Sequence, residues 1–266
     1  MIVRVASWVA LLGALAACGR RAPVAVQAPW REVPLRIHPA DGIDVLLIYD
    51  MEGVSGVDEW RMFDASFPEY QRGRELLTAD VNAAVDGLLA GGAARVDVVD
   101  FHGSGNDAPD VLLRQMDARA THVQRGQHFW EFDLVEARVY DAIAIVGMHC
   151  KPGTRGFAPH TCGYAIEITV NRQSITEAEW LALLWGEVGV PLILVSGDDR
   201  LAHDLATLPW IEYVVVKTAT SASTVTLRPL EDAHADLRAA AARATKNLRR
   251  ARAIKARQVV FGDPQT

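Results

Sequence analysis

The sequence predicts a three-layer α/β sandwich on a largely parallel sheet, with a metal site at the C-terminal edge of the strands. Two observations carry this. Apolar runs of strand length (Val45–Tyr49, Ala142–Val146, Pro191–Val195) alternate with longer stretches of helical spacing. Three strand ends then carry ligand-type side chains: Asp50-Met51-Glu52-Gly53-Val54-Ser55-Gly56, Asp100-Phe101-His102 and Gly147-Met148-His149. In a parallel sheet those ends lie on one edge, where side chains from several strands converge.

Arg4 precedes an apolar stretch that closes in Leu15-Ala16-Ala17-Cys18. It is too short to span a bilayer, which needs about 20 residues, so residues 1–17 read as a secretory signal. Leu-Ala-Ala-Cys resembles the bacterial lipoprotein signal, which implies lipidation of Cys18. Gly19 after the cysteine points to an outer-membrane address facing the periplasm. Residues 18–40 are rich in Pro, Arg, Val and Ala without periodicity and read as the lipidated cysteine and a tether. Membrane attachment is therefore expected through the lipid anchor only.

The body, residues 41–225, begins with the strand Val45–Tyr49. Glu69–Ala90 places Leu76, Leu77, Val81, Val85, Leu88 and Leu89 at helical spacing and ends at Gly91-Gly92. Arg95–Val99 reads as a second strand, a less regular region holds Trp130 and Phe132, and Ala142–Val146 is the third strand. Cys150 to Cys162 is a loop rich in Gly and Pro. Ala165–Val170 followed by Asn171-Arg172-Gln173-Ser174 suggests a hairpin, Ile175–Val188 a helix, and Pro191–Val195 a strand ending at Asp198-Asp199. Those two acids could bind a ligand, support the site from behind or cap the helix starting near Arg200, and capping is the favoured role. Tyr213–Val216 is the last clear strand, and residues 226–266 supply a charged, alanine-rich helix (Glu231–Ile254) and a tail. The basic cluster Arg243–Arg257 reads as a solvated helix face.

Half of the residues are apolar, ample for one core of this size. A net charge of −6 without aromatic-interleaved basic patches excludes nucleic acid as the expected partner. Cys150 and Cys162 flank a loop with two histidines and could form a staple or remain two thiols. His122, His128 and His203 lie away from the strand-end motifs and read as surface or packing residues.

Taken singly, each strand-end residue has a structural role: Asp50 could cap a turn, and His102 or His149 could simply be packed. Their common edge favours a site. Carboxylates with imidazoles suit zinc, with manganese or cobalt also compatible. Three carboxylates, counting one of Glu177 and Glu179, set −3 against the +4 of two divalent ions. Asp50, with two oxygens, is a natural bridge between them. Metals lower the pKa of bound water, so metal-assisted hydrolysis is the expected chemistry.

The motif Asp50-Met51-Glu52-Gly53 resembles the Asp-x-Glu-Gly signature of the zinc-dependent D-aminopeptidases, peptidase family M55. The similarity runs on through Tyr70-Gln71-Arg72-Gly73-Arg74, Asp100-Phe101-His102, Gly147-Met148-His149, Pro159-His160, Val190-Pro191 and Gly197-Asp198-Asp199. The resemblance implies a binuclear zinc peptidase in residues 41–225 that removes N-terminal D-residues, typically D-Ala, from short peptides. It implies Asp50 as the bridging ligand, Glu52 and His102 on one ion, and His149 and Glu177 on the other, with Glu179 as the alternative. His160 would act in the chemical step, by proton transfer or by polarising the carbonyl. Gly103 replaces a frequent serine, and the chain ends at Thr266 where typical members continue, which implies a shortened C-terminal lobe. Small D-amino-acid peptides, cell-wall fragments among them, are the expected partners, and a homo-oligomer is compatible. Two further readings stay open: a metallohydrolase or amidase of changed specificity, and a non-catalytic peptide-binding lipoprotein with a vestigial site.

Overall fold

The computed structural model describes residues 28–36, 42–124, 140–163 and 166–257. Its first elements are β1 (Trp30–Val33), β2 (Ile43–Tyr49), α1 (Tyr70–Ala90), β3 (Ala93–Asp100), β4 (Thr121–Val123) and β5 (Ala142–Met148). There follow β6 (Thr169–Val170), β7 (Gln173–Ser174), α2 (Glu177–Gly186), β8 (Leu192–Asp198) and α3 (Asp199–Asp204). The chain continues through β9 (Glu212–Ser221), β10 (Thr224–Leu227), α4 (Leu230–Lys246) and β11 (Ala253–Ala256).

The central sheet has the order β10-β9-β8-β5-β2-β3-β4, parallel throughout except for the β10–β9 pair. The expected three-layer arrangement is the one found. Period-two alternation sorts the residues of β2: Val45, Leu47 and Tyr49 enter the core under α1 and α4, while Leu46 and Ile48 enter the core that includes α2. In β5 the first face carries only Ala142, Ala144 and Val146, and the second carries Ile143 and Ile145. Because both faces are covered, these strands are apolar almost continuously, which is why they were readable as short apolar runs.

The chain passes from β2 outward to β3 and β4, then returns to place β5 on the other side of β2. The order thus reverses between β2 and β5, and a crevice at the carboxyl ends of those strands follows from the topology. Asp50 and His149 stand at its two sides.

Several expectations change at the periphery. Residues 30–33, within the segment read as a tether, pair antiparallel with β11, Trp30 opposite Ala256 and Val33 opposite Ala253. Mixed sequence and a partner more than 200 positions away leave such a strand without a local signature. The helix expected over Glu231–Ile254 stops at Lys246; a 3-10 turn (Leu248–Arg250) and β11 follow. The basic cluster is therefore spread over a helix end, a turn and a strand instead of one helix face. Helix α4 packs along α1 at Gly87, where an added Cβ would come 2.2 Å from the Arg238 carbonyl oxygen. The C-terminal helix is thus part of the α/β body.

Asn171 and Arg172 take left-handed backbone angles and close the β6–β7 hairpin, as the turn residues suggested. Cys150 and Cys162 are free thiols. Residues 1–17, Cys18, His128, Trp130 and Phe132 lie outside the described residues. No helix among the described residues is long and apolar enough to cross a membrane.

Candidate metal centre

Asp50 continues β2 by donating its backbone N–H to the Val146 carbonyl of β5 at 2.9 Å. The turn after it is pinned to the end of β5 again, Gly53 N–H donating to the Gly147 carbonyl at 2.7 Å. Asp50 and Glu52 are thereby fixed against the strand that delivers His149. His102 follows β3, held by its own N–H to Asp100 Oδ1 at 2.9 Å.

Glu177 opens α2. Thr176 and Glu179 form a reciprocal capping box at that helix start, the Thr176 hydroxyl accepting from Glu179 N–H and the Glu179 carboxylate accepting from Thr176 N–H. Capping thus occupies Glu179 and leaves Glu177 for the crevice. Of the two acids weighed from sequence, Glu177 is the one that faces the site, with Oε1 3.5 Å from His149 Nε2.

All six residues singled out from the sequence meet. His102 Nε2 lies 3.4 Å from Glu52 Oε1, and His149 Nε2 lies 3.5 Å from Asp50 Oδ2. The ligand atoms of Asp50, Glu52 and His102 form one group within 4.8 Å of one another, and those of His149, His160 and Glu177 form a second. The Asp50–His149 approach joins the two groups. His160 stacks on His149 with ring centroids 3.7 Å apart, and its Nε2 is 3.8 Å from Glu52 Oε1.

The three histidines share one orientation. His149 Nδ1 is 3.0 Å from the Cys150 carbonyl, His160 Nδ1 is 2.9 Å from the Ala158 carbonyl, and His102 Nδ1 is 2.9 Å from Asp110 Oδ2. These oxygens accept from Nδ1–H, so every ring presents Nε2 to the centre. Such an outer hydrogen bond fixes tautomer and ring direction in metal-ligating histidines.

Electrostatics also fit a cation. Burial, then the charge of Glu52, pushes the Asp50 carboxyl well above its usual range. Burial works the same way on Glu52, yet the charge and hydrogen bond of His102 hold Glu52 well below its usual range. Asp50 Oδ2 and Glu52 Oε2 are buried without a hydrogen-bond partner. A buried carboxylate short of partners is costly unless a cation compensates it. Hard oxygens and imidazole nitrogens suit a divalent ion such as zinc.

The centre forms the floor of a cavity of about 640 Å³, walled in part by Trp60, Phe63, Phe101 and Cys162. Cys162 N–H donates to Glu177 Oε1 at 2.6 Å, so the 150–162 loop supports that acid from outside. Asp198 caps α3 through Oδ1, as expected, and its Oδ2 accepts from Phe157 N–H at 2.8 Å, anchoring the same loop. His122 reaches the Tyr49 hydroxyl at 3.2 Å, away from the centre.

Two residues with a bearing on the site were not singled out. Asp110 is buried and also accepts hydrogen bonds from the Tyr70 hydroxyl and from Ser104 Oγ. It lies eight positions beyond His102 in an irregular segment, so periodicity could not find it. Lys217 is the other; a lysine directly after the apolar run Tyr213–Val216 was an available signal. Asp110→Ala is expected to lower zinc affinity by about 10–100-fold, by freeing the His102 ring. Titration against a chromogenic chelator would measure this, and unchanged affinity would remove Asp110 from the supporting set.

Residues 43–261 match the model of the D-aminopeptidase family, peptidase M55. The chain is similar to the D-aminopeptidase of Bacillus subtilis (strain 168), 26% identical over 180 residues, or 66% of this chain. The matched region spans 64% of that relative, under two thirds of its length. Among solved structures it resembles the Zn-dependent D-aminopeptidase DppA from Bacillus subtilis, described as a self-compartmentalizing protease. That match has a TM-score of 0.74 at 23% identity and covers 81% of this chain and 78% of the other.

Proposed function

The chain belongs to the D-aminopeptidase family, peptidase M55, and from that premise we propose that it is a zinc-dependent aminopeptidase. It removes N-terminal D-residues, D-Ala foremost, from short peptides. The observation that carries this reading is the meeting of Asp50, Glu52, His102, His149 and Glu177 in two linked groups on one cavity floor. In this reading Glu52 and His102 would hold one ion and His149 and Glu177 a second, with Asp50 a ligand available to both. When bound, divalent zinc supplies Lewis-acid polarisation of the scissile carbonyl and lowers the pKa of water.

The chain's own residues do the rest. Asp110 and the Cys150 carbonyl keep the two ligand imidazoles aimed inward. Phe63 and Phe101 give the cavity an apolar part of its lining. His160, with Nδ1–H committed to the Ala158 carbonyl, offers Nε2 to a proton beside the carboxylate of Glu52.

Burial and the neighbouring His149 both disfavour a charge on His160, so its pKa lies below the ordinary 6.5. A base works only while neutral. Activity is therefore expected to persist below pH 6.5 and to fall as pH drops through the lowered value. His160→Ala should abolish that acid limb and most turnover while retaining the wild-type zinc content. Loss of one zinc from the variant would make His160 a ligand instead.

The direct test is zinc-dependent release of D-Ala from D-Ala-D-Ala, with L-Ala-L-Ala and His102→Ala as controls. Release confined to the D-peptide and lost in the variant supports the reading. Zinc-loaded, folded protein that releases nothing would replace it with an amidase of other specificity or a peptide-binding role.

The address is a separate part of the proposal. Lipidation at Cys18 after removal of residues 1–17 would anchor the enzyme in the outer membrane facing the periplasm, beside D-Ala-containing wall fragments. Palmitate labelling lost in Cys18→Ala would support it; labelling that survives would end it. A homo-oligomer is proposed by analogy with the self-compartmentalizing structural relative, and light scattering of the purified protein would test it.

A further inference from the structure

Lys217 is wholly buried midway along β9, in register with Asp198 of β8. Lysine is almost never fully buried unless its charge is matched. Among the described residues no carboxylate accepts a hydrogen bond from it. Its Nζ donates to three backbone carbonyls, those of Glu52 at 2.5 Å, Val54 at 3.1 Å and Val57 at 2.7 Å. All three N–H bonds of an ammonium are thereby used, and all on one turn. The same atom lies 4.6 Å from the centre of the Phe157 ring, a cation–π contact to the loop that carries His160.

The two segments gripped by Lys217 belong to different halves of the centre. The 52–57 turn sets Glu52, whose Oε1 faces His102 Nε2 at 3.4 Å and His160 Nε2 at 3.8 Å. Phe157 belongs to the loop that presents His160 and touches Glu177 through Cys162. Apart from Lys217, the turn is held to β5 through Gly53, the loop continues from β5 and is anchored through Asp198, and the two also meet where His160 Nε2 approaches Glu52 Oε1. The lysine is a direct tie between them.

We propose that Lys217 is a positioning residue of the metal centre, its ammonium setting the Glu52 turn and, through Phe157, the loop of His160. The inference rests on the zinc-centre reading above. It assigns a role to a side chain that touches neither ion nor substrate.

The test replaces Lys217 with Met, of similar length without donors, and with Gln, which keeps two donors without the charge. Circular dichroism and thermal melts report folding. Zinc stoichiometry and affinity are read by chelator competition, alongside D-Ala release. Folded variants are expected to bind zinc about 10–100-fold more weakly, the range seen when outer supports of a metal site are lost. Gln should lose less than Met. Phe157→Leu should lower kcat and weaken zinc binding less than the Lys217 variants do, because the three hydrogen bonds of Lys217 to the Glu52 turn remain.

A lowered melting temperature with wild-type zinc affinity and kcat would overturn the proposal in favour of a purely structural lysine. So would failure of both Lys217 variants to fold even with zinc supplied. Wild-type protein is titrated in parallel: if it binds no zinc, the zinc-centre reading itself fails. If it binds zinc and the variants match it, only the role of Lys217 fails.

Discussion

Asp50→Asn is expected to abolish zinc-dependent hydrolysis, with kcat/KM at least about a thousandfold below wild type. Lewis-acid assistance contributes several kcal/mol to such reactions, and each factor of ten in rate corresponds to about 1.4 kcal/mol. Asparagine preserves the shape and the acceptor for the Met51 N–H, which Asp50 Oδ1 holds at 2.9 Å. It removes the charge of a carboxylate that belongs to one ligand group and approaches His149 of the other. The folded state should survive, because Asp50 is the acid that burial and Glu52 already drive toward its neutral form. The same reasoning predicts proton release when zinc binds to the wild-type protein, since ligand groups must be deprotonated. Calorimetry in buffers of different ionisation enthalpy would count those protons. A folded Asp50→Asn protein with two tightly bound zinc ions and near-normal turnover would remove Asp50 from the centre.

Gly53→Ala is the second large expected effect, although it changes no ligand. A Cβ at this position would stand 2.0 Å from the Met148 carbonyl oxygen and 2.6 Å from the Gly147 carbonyl carbon. Both obstacles are backbone, and they belong to the end of β5 that delivers His149. Relief therefore requires the Glu52 turn and the His149 strand end to separate. Forced overpacking of this kind costs about 1–3 kcal/mol, measurable as a lower urea midpoint at unchanged slope. Zinc affinity should fall with it, as Glu52 and His149 are moved together. Wild-type affinity in a destabilised variant would show that the separation is absorbed elsewhere.

The central strands, α1, and the set Asp50, Glu52, His102 and His149 were legible in the sequence because their signals are local. A strand buried on both faces writes itself as an apolar run, and a parallel sheet places all its carboxyl ends on one edge. Glu177 entered as one of a pair with Glu179 and took its ligand role from resemblance to a family, and His160 entered through that resemblance alone. The choice between Glu177 and Glu179 had to wait for the helix start, where a capping box takes one acid and leaves the other. Strand β1 and strand β11 define each other only by pairing across the chain. Asp110 and Lys217 act through contacts with residues 8 and 165 positions away, and neither spacing has a periodicity. Sequence alone thus determined which ligand-type residues end on the shared edge, because alternation and turn chemistry are properties of neighbours in the chain. Only the tertiary structure decided what orients them, because a buried hydrogen bond is set by which surfaces meet on folding, whatever their separation in sequence.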